Sequence, residues 1–323
     1  MSTIEMIHAA AKRLAPVVRR TPLLSSPFLD EIAGRRVFVK AECLQHTGSF
    51  KFRGGWSALS GMPDDLRAKG VIAYSSGNHA QGLAYAAAKH AVDAVIIMPS
   101  DAPAQKIANT RALGAEVVAY DRMSEMREEI GARLSATRGL TLVKPYDEPL
   151  VIAGQGTVGL EIAMQAAEAG IGAADVLVPC GGGGLTSGVA LALADSAPNL
   201  RVRPCEPTGF EDTGRSLLSG NRVVNAAMGG SICDAIVTPT PGKITFPILQ
   251  KHCGPGLDVS DDEALRAMAL AFTRLKIVLE PGGAVALAAA LFRPDQIKGD
   301  TVIVVASGGN VDAQTFQRAL LMA

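Results

Sequence analysis

Short apolar runs rich in β-branched residues alternate with alanine-rich segments of helical period along most of this 323-residue chain, and that alternation narrows its fold most. Arg36 to Lys40 reads as a strand and Phe50 to Ser60 as a helix stopped near Gly61 and Pro63. Val71 to Tyr74 is a strand, followed by a serine- and glycine-bearing loop and a helix over Leu83 to His90. Strands at Ala94 to Met98, Glu116 to Tyr120 and Thr141 to Val143 flank helices at Ala104 to Leu113 and Ser124 to Thr137. After Pro145 and Pro149 the alternation restarts, with a long helix from Gly156 and strands at Val176 to Pro179, Arg201 to Cys205 and Thr301 to Ala306. Strands and helices alternating at these lengths predict parallel sheet covered on both faces. Two such runs, parted by a proline-bearing link, predict two α/β domains with a cleft between them.

Charge and cysteine content narrow the function. Lys+Arg and Asp+Glu are 31 each, so no global field favours nucleic acid or an anionic membrane, and a small-molecule ligand is expected. The five cysteines are scattered, with no CxxC pair, which argues against a disulfide framework or structural zinc and for a reducing compartment. Ile4 to Leu14 reads as an amphipathic helix and not a signal peptide, and no apolar run approaches membrane-spanning length; a cytoplasmic protein is expected.

Four stretches carry candidate chemistry. Lys51 stands between Phe50 and Phe52, after Gly48 and before Gly54 and Gly55. Such surroundings suit a lysine desolvated into a neutral nucleophile, and equally a stem that snorkels along apolar neighbours. Gly181, Gly182, Gly183 and Gly184 follow a buried strand and open a helix at Leu185, presenting backbone N–H groups with no Cβ in the way. That is a phosphate cradle, or else close packing of strand on helix; no Gly-Lys-Ser/Thr follows to make it a Walker loop. Gly154 to Gly159 matches G-x-G-x-x-G with Asp175 downstream, but the apolar run before it is short and Asp175 precedes a strand, so a dinucleotide site is not expected. Finally, Ser307-Gly-Gly-Asn310 sits at the carboxyl end of a strand, where open α/β sheets bind ligands.

With the Ser75 to His79 loop, these motifs resemble in order those of the fold type II, tryptophan-synthase-β-like pyridoxal-phosphate enzymes. The likeness is greatest to the serine/threonine dehydratases, serine racemases and hydroxyaspartate ammonia-lyases. The resemblance implies two open, mostly parallel twisted-sheet domains with the active site in the cleft between them. Residues 1–62 and 148–323 would form the large cofactor-binding domain and 63–147 a small mobile one. It implies that Lys51 bonds the pyridoxal phosphate and moves the Cα proton. Phe50 would lie on the pyridine ring, Asn78 would meet its 3-oxygen, Gly181 to Gly184 and Leu185 would hold the phosphate, and Ser307 would face the ring nitrogen. A neutral hydroxyl there leaves the ring a weaker electron sink than an acidic partner would, which suits prompt loss of a β-leaving group.

The same resemblance implies that Ser75, Ser76, Asn78 and His79 bind the α-carboxylate, with Ser76 a second proton-transfer residue on the face opposite the lysine. Arg127 would meet a distal carboxylate, the plainer reading being an exposed helical arginine paired with a neighbouring glutamate. Glu206 and Asp212, with the Phe210 carbonyl, would hold Mg2+ or Ca2+. The expected activity is β-elimination from L-threonine or L-serine. Hydroxyaspartate ammonia-lyase or serine racemase activity, and a non-catalytic binder, are the alternatives. The resemblance also implies a homodimer.

Overall fold

The computed structural model describes residues 2–322 apart from 76, 103, 122 and 228, with the backbone alone for residue 105. Ten strands form two sheets. They are β1 (Leu23–Ser25), β2 (Arg36–Lys40), β3 (Val71–Tyr74), β4 (Ala94–Pro99), β5 (Glu116–Tyr120), β6 (Thr141–Leu142), β7 (Ala174–Pro179), β8 (Leu200–Pro207), β9 (Leu257–Val259) and β10 (Thr301–Val305). The larger sheet runs β1-β2-β10-β7-β8-β9 and the smaller β5-β4-β3-β6. Every pairing is parallel except β1 with β2. The expected α/β class with two mostly parallel sheets is what the chain adopts. All six residues of β4 and of β7 are buried, as strands covered by helices on both faces must be. β1 and β9, three residues each, are too short for a sequence period to reveal.

The helix expected over Leu83 to His90 begins at Asn78, inside the loop before it, and two further helices differ from expectation for local reasons. The helix expected from Ser124 starts at Arg127, because Asp121, Ser124 and Glu125 bond among themselves. There the Asp121 carboxylate accepts from Ser124 Oγ at 2.8 Å, and Glu125 accepts from the Asp121 N–H at 2.7 Å. The long helix starts at Pro149, not near Gly156, and so contains the whole G-x-G-x-x-G match. Its glycines serve packing. A Cβ on Gly156 would meet the Gly188 carbonyl at 3.0 Å, and one on Gly159 the Val189 carbonyl at 2.9 Å. Asp175 instead pairs with Arg201 and Arg203. This 20-residue helix has the length and mean hydropathy (1.2) of a membrane span, which the sequence reading did not anticipate, but 72% of that window is buried inside the protein.

The Lys51–Gly61 helix lies against the Asn78–Lys89 helix that follows β3. A Cβ on Gly82 would come within 2.8 Å of the Lys51 carbonyl carbon, and one on Gly55 within 2.9 Å of the Gly82 carbonyl oxygen. Glycine pairs thus let the helix of the small sheet reach the backbone of the lysine itself.

Candidate active site

Because β2, β10 and β7 are parallel neighbours, the loops after them meet at the carboxyl end of these strands in the larger sheet. A cavity of about 710 Å³ opens there, lined also by residues of the smaller sheet's loops. Phe50, Lys51, Ser75, Asn78, His79, Arg127, Gly181 to Leu185 and Ser307 all line it. Ser76 lies outside the described residues.

The lysine and serine loops are laced together by main-chain bonds. The Phe50 N–H donates to the Ser307 carbonyl at 3.1 Å, and the Gly309 N–H to the Gly48 carbonyl at 2.9 Å. Gly48 needs its missing side chain twice over: its φ is +74°, and a Cβ would lie 2.6 Å from Asn310 Oδ1. Lys51 Nζ donates to the Pro145 carbonyl at 2.8 Å and stands 5.1 Å from the Phe50 ring centre. Burial lowers its pKa to about 8, against the opposing charge of Glu280. A substantial fraction of this amine is therefore neutral near pH 8, as a nucleophile or base requires.

Asn78 is held at both ends. Its Nδ2 donates to Glu280 Oε1 at 2.6 Å, and its Oδ1 accepts from Asn310 Nδ2 at 2.7 Å. An amide nitrogen has two hydrogens, so one remains for an oxygen in the cleft. Glu280 is buried, and that burial raises its pKa to about 7 despite the Asn78 bond. His79 donates from Nε2 to the Val143 carbonyl at 2.9 Å, leaving Nδ1 buried and unpartnered. Burial, with Lys51 adding to it, pulls this histidine down to about 3, so it stays neutral.

The glycine run has the form of an anion cradle. Gly183 adopts φ +90° as N-cap of the Gly184–Ser196 helix, whose first N–H groups lack intrahelical partners. A Cβ on Gly182 would fall inside the Tyr146 ring, and one on Gly183 would lie 2.8 Å from Leu249. Ser75 shapes the other helix start, its Oγ accepting from the Gly77 N–H at 3.2 Å. Arg127 is half exposed. Its Nε donates to Glu128 at 2.8 Å, its guanidinium stands 5.8 Å from the Tyr74 ring centre, and it lines the cleft.

Glu206, Phe210 and Asp212 stand apart, the first within β8 near its carboxyl end and the other two just after it. Glu206 accepts from the Thr213 and Gly214 N–H groups, each at 2.8 Å, while Asp212 Oδ1 accepts from Asn225. Asp212 Oδ2 is buried without a partner. Burial raises Glu206 well above the carboxylate range, with Asp212 adding to the effect, and raises Asp212 to about 6. Two buried carboxylates, one raised further by its neighbour and the other with an orphaned oxygen, are donors that a hard cation would take, with backbone carbonyls and water completing its shell. Among the described residues no group of three or more His, Cys, Asp and Glu could hold a metal without such help.

Sequence reasoning missed Glu280, Tyr146, Lys106 and the 234–243 loop, all of which line the cleft. Pro281 and the glycine pair after it mark a helix start at Glu280, but nothing local says that its carboxylate meets Asn78, 202 residues away.

A family model described as "Pyridoxal-phosphate dependent enzyme" matches residues 14–308. The L-threo-3-hydroxyaspartate ammonia-lyase of Pseudomonas sp is 42% identical over 99% of both chains. The serine racemase of Schizosaccharomyces pombe is 37% identical over 99% of this chain and 98% of its own. Among solved structures, the threonine deaminase from T.th. is similar with a TM-score of 0.90 and 44% identity, covering 96% of this chain and 99% of that one.

Proposed function

Because the chain belongs to the pyridoxal-phosphate dependent enzyme family, we propose that it is an ammonia-lyase converting a β-hydroxy L-amino acid to a 2-oxo acid and ammonia, with 3-hydroxyaspartate ahead of L-threonine and L-serine. The sequence alone put threonine and serine first. The cleft's charge supports the change of order: Lys106, Arg127, Lys144, Arg222 and Lys243 line it, against Asp147, Asp234 and Glu280. Of these acids, Asp234 is 3.8 Å from Lys106 and Glu280 is half protonated near pH 7. A dicarboxylate gains more from that surplus of cations than threonine does.

Bound pyridoxal phosphate would supply an electron sink for the Cα–H bond electrons. Gly181 to Gly184 and Leu185 would hold its phosphate, Phe50 its ring face, the spare Asn78 hydrogen its 3-oxygen, and Ser307 its ring nitrogen. Lys51, desolvated and bonded only to the Pro145 carbonyl, would take the Cα proton. The β C–O bond then breaks, and the oxygen leaves with the bond's electron pair, taking up one proton, equivalent to the one removed from Cα, to depart as water. A second water releases ammonia from the unsaturated amine, so substrate is converted into 2-oxo acid and ammonia without net consumption of water. Ser75, Asn78 and His79 would orient the α-carboxylate at the start of the Asn78–Lys89 helix, and Ser76 keeps its proposed proton-transfer role on the opposite face.

We also read residues 63–147 as a small domain able to close on the remainder, and Glu206, Phe210 and Asp212 as a structural Mg2+ or Ca2+ site. Exposed Phe28, Ile32, Phe272 and Leu321 support a homodimer face; a monomer in light scattering would refute it. Five free cysteines fit a reducing, cytoplasmic setting.

The test is 2-oxo acid formation from L-threo-3-hydroxyaspartate, L-threonine and L-serine, with chirality read on the remaining substrate. Lys51→Ala should lose the cofactor's visible band and at least about a thousandfold in rate; turnover that persists would sink the lysine's role. Arg127→Ala should lower the hydroxyaspartate-to-serine ratio of kcat/KM, and an unchanged ratio would return threonine and serine to first place.

A further inference from the structure

Tyr146 stands where three parts of the cleft meet. Its backbone follows the Pro145 carbonyl that accepts a hydrogen bond from Lys51 Nζ, and its own Cα and Cβ would each lie 2.9 Å from a Cβ on Gly184. Its ring covers Gly182 so closely that any side chain there would enter it. The ring is half-buried and lines the cleft together with Arg127 and Arg222. Burial, and next Asp147, hold its proton on above the usual tyrosine range, while Arg127 and Arg222 are the cations that act on it and Asp212 a further anion. At neutral pH the phenol is therefore a hydrogen-bond donor inside a positively lined cleft.

We propose that Tyr146 is a specificity-determining residue whose phenol donates to the second carboxylate of a dicarboxylic β-hydroxy amino acid, alongside Arg127, while its ring walls the phosphate cradle. This rests on the elimination activity proposed above. The phenol suits that task because it offers one directed donor and no charge. A hydrogen bond to a carboxylate discriminates by about 10- to 100-fold when its donor is removed. Serine and threonine have no group for it to meet, so their kcat/KM should depend on it far less.

The holoenzyme is compared with Tyr146→Phe, which keeps the ring, and Tyr146→Ala, which removes it. The Phe variant should lower the hydroxyaspartate-to-serine ratio of kcat/KM by about 10-fold or more, through KM and not kcat. It should weaken succinate about as much and propionate little, both titrated on the cofactor's fluorescence. The Ala variant should in addition release the cofactor faster than the Phe variant. A Phe variant that keeps the ratio and the succinate affinity within twofold overturns the proposal, as does an equal loss on both substrates. Succinate binding needs no turnover, so a wild type that binds it but eliminates from neither substrate refutes the reaction and leaves Tyr146 to be judged on binding alone.

Discussion

Two groups of buried charge flank the lysine helix, and they differ in how far they are satisfied. Behind it, Lys40, Glu42, Arg53 and Glu161 form a closed set. Arg53 donates to Glu42 at 2.8 Å through Nε and again through Nη2, and to Glu161 at 2.7 Å; Lys40 reaches Glu161 at 2.5 Å and the Thr21 carbonyl at 2.8 Å. Thr21 Oγ1 donates to Glu42 at 2.5 Å. Against burial, Glu42 and Glu161 hold Arg53 above its ordinary value, and Arg53 in turn holds Glu42 below its own. In front, in the cleft, His79 and Glu280 are buried and Lys51 half-buried, yet Lys51 has a carbonyl and no carboxylate, and His79 keeps one nitrogen bare. All three move toward their neutral forms. Burial alone thus does not decide what a charged group is for. Close pairing holds Arg53 and Glu42 charged two residues from Lys51 although burial still lowers Lys40, and incomplete pairing leaves titratable groups in the cleft.

The comparison breaks most readily at Arg53. Arg53→Met strands two buried carboxylates and should cost roughly 3–5 kcal/mol in urea unfolding; a loss under about 1 kcal/mol would mean that the set is not a unit. Glu280 tests the other side. Its folded pKa, about 7, lies above the ordinary 4.5, so the protonated form is favoured by folding. That contribution is full below pH 4.5 and lost as pH climbs through about 7, by up to about 3 kcal/mol in the cofactor-free protein. Glu280→Gln keeps the oxygen that Asn78 donates to and should remove this dependence, visible as a smaller difference in urea midpoint between pH 5 and pH 8. A smaller effect is expected at Glu206 and Asp212, a second incompletely paired group. Mg2+ or Ca2+ should stabilise the protein by about 2.7 kcal/mol at a hundredfold excess over Kd, raising the Tm in wild type and not in Asp212→Asn. No shift with either ion would leave the pair as buried acids and no more.

How much of this was legible follows from where each signal resides. The strands β2 to β5 could be read because period and β-branching are local, and the lysine, the glycine run and Ser307 because each loop carries unusual residues side by side. Glu280 and Tyr146 could not: one is an ordinary helix-capping glutamate until Asn78 arrives, and the other sits in what reads as a proline link until Gly182 packs beneath its ring. The same limit made Gly154 to Gly159 resemble a nucleotide loop, since sequence records that glycines permit close approach but not what approaches. Arg127 shows it once more, because a helix start gives an arginine's position and not the cleft beside it.

The sequence by itself determined the alternating architecture, the loop chemistry and the lysine, since these depend on backbone preference and hydrophobic period within a few residues. Only the tertiary structure decided which charges are paired, which are left titratable, and that a tyrosine stands over the glycine run in a cleft that two arginines also line. Those properties are differences in solvation and pairing among groups as much as 202 residues apart, and such differences come into being when the chain folds.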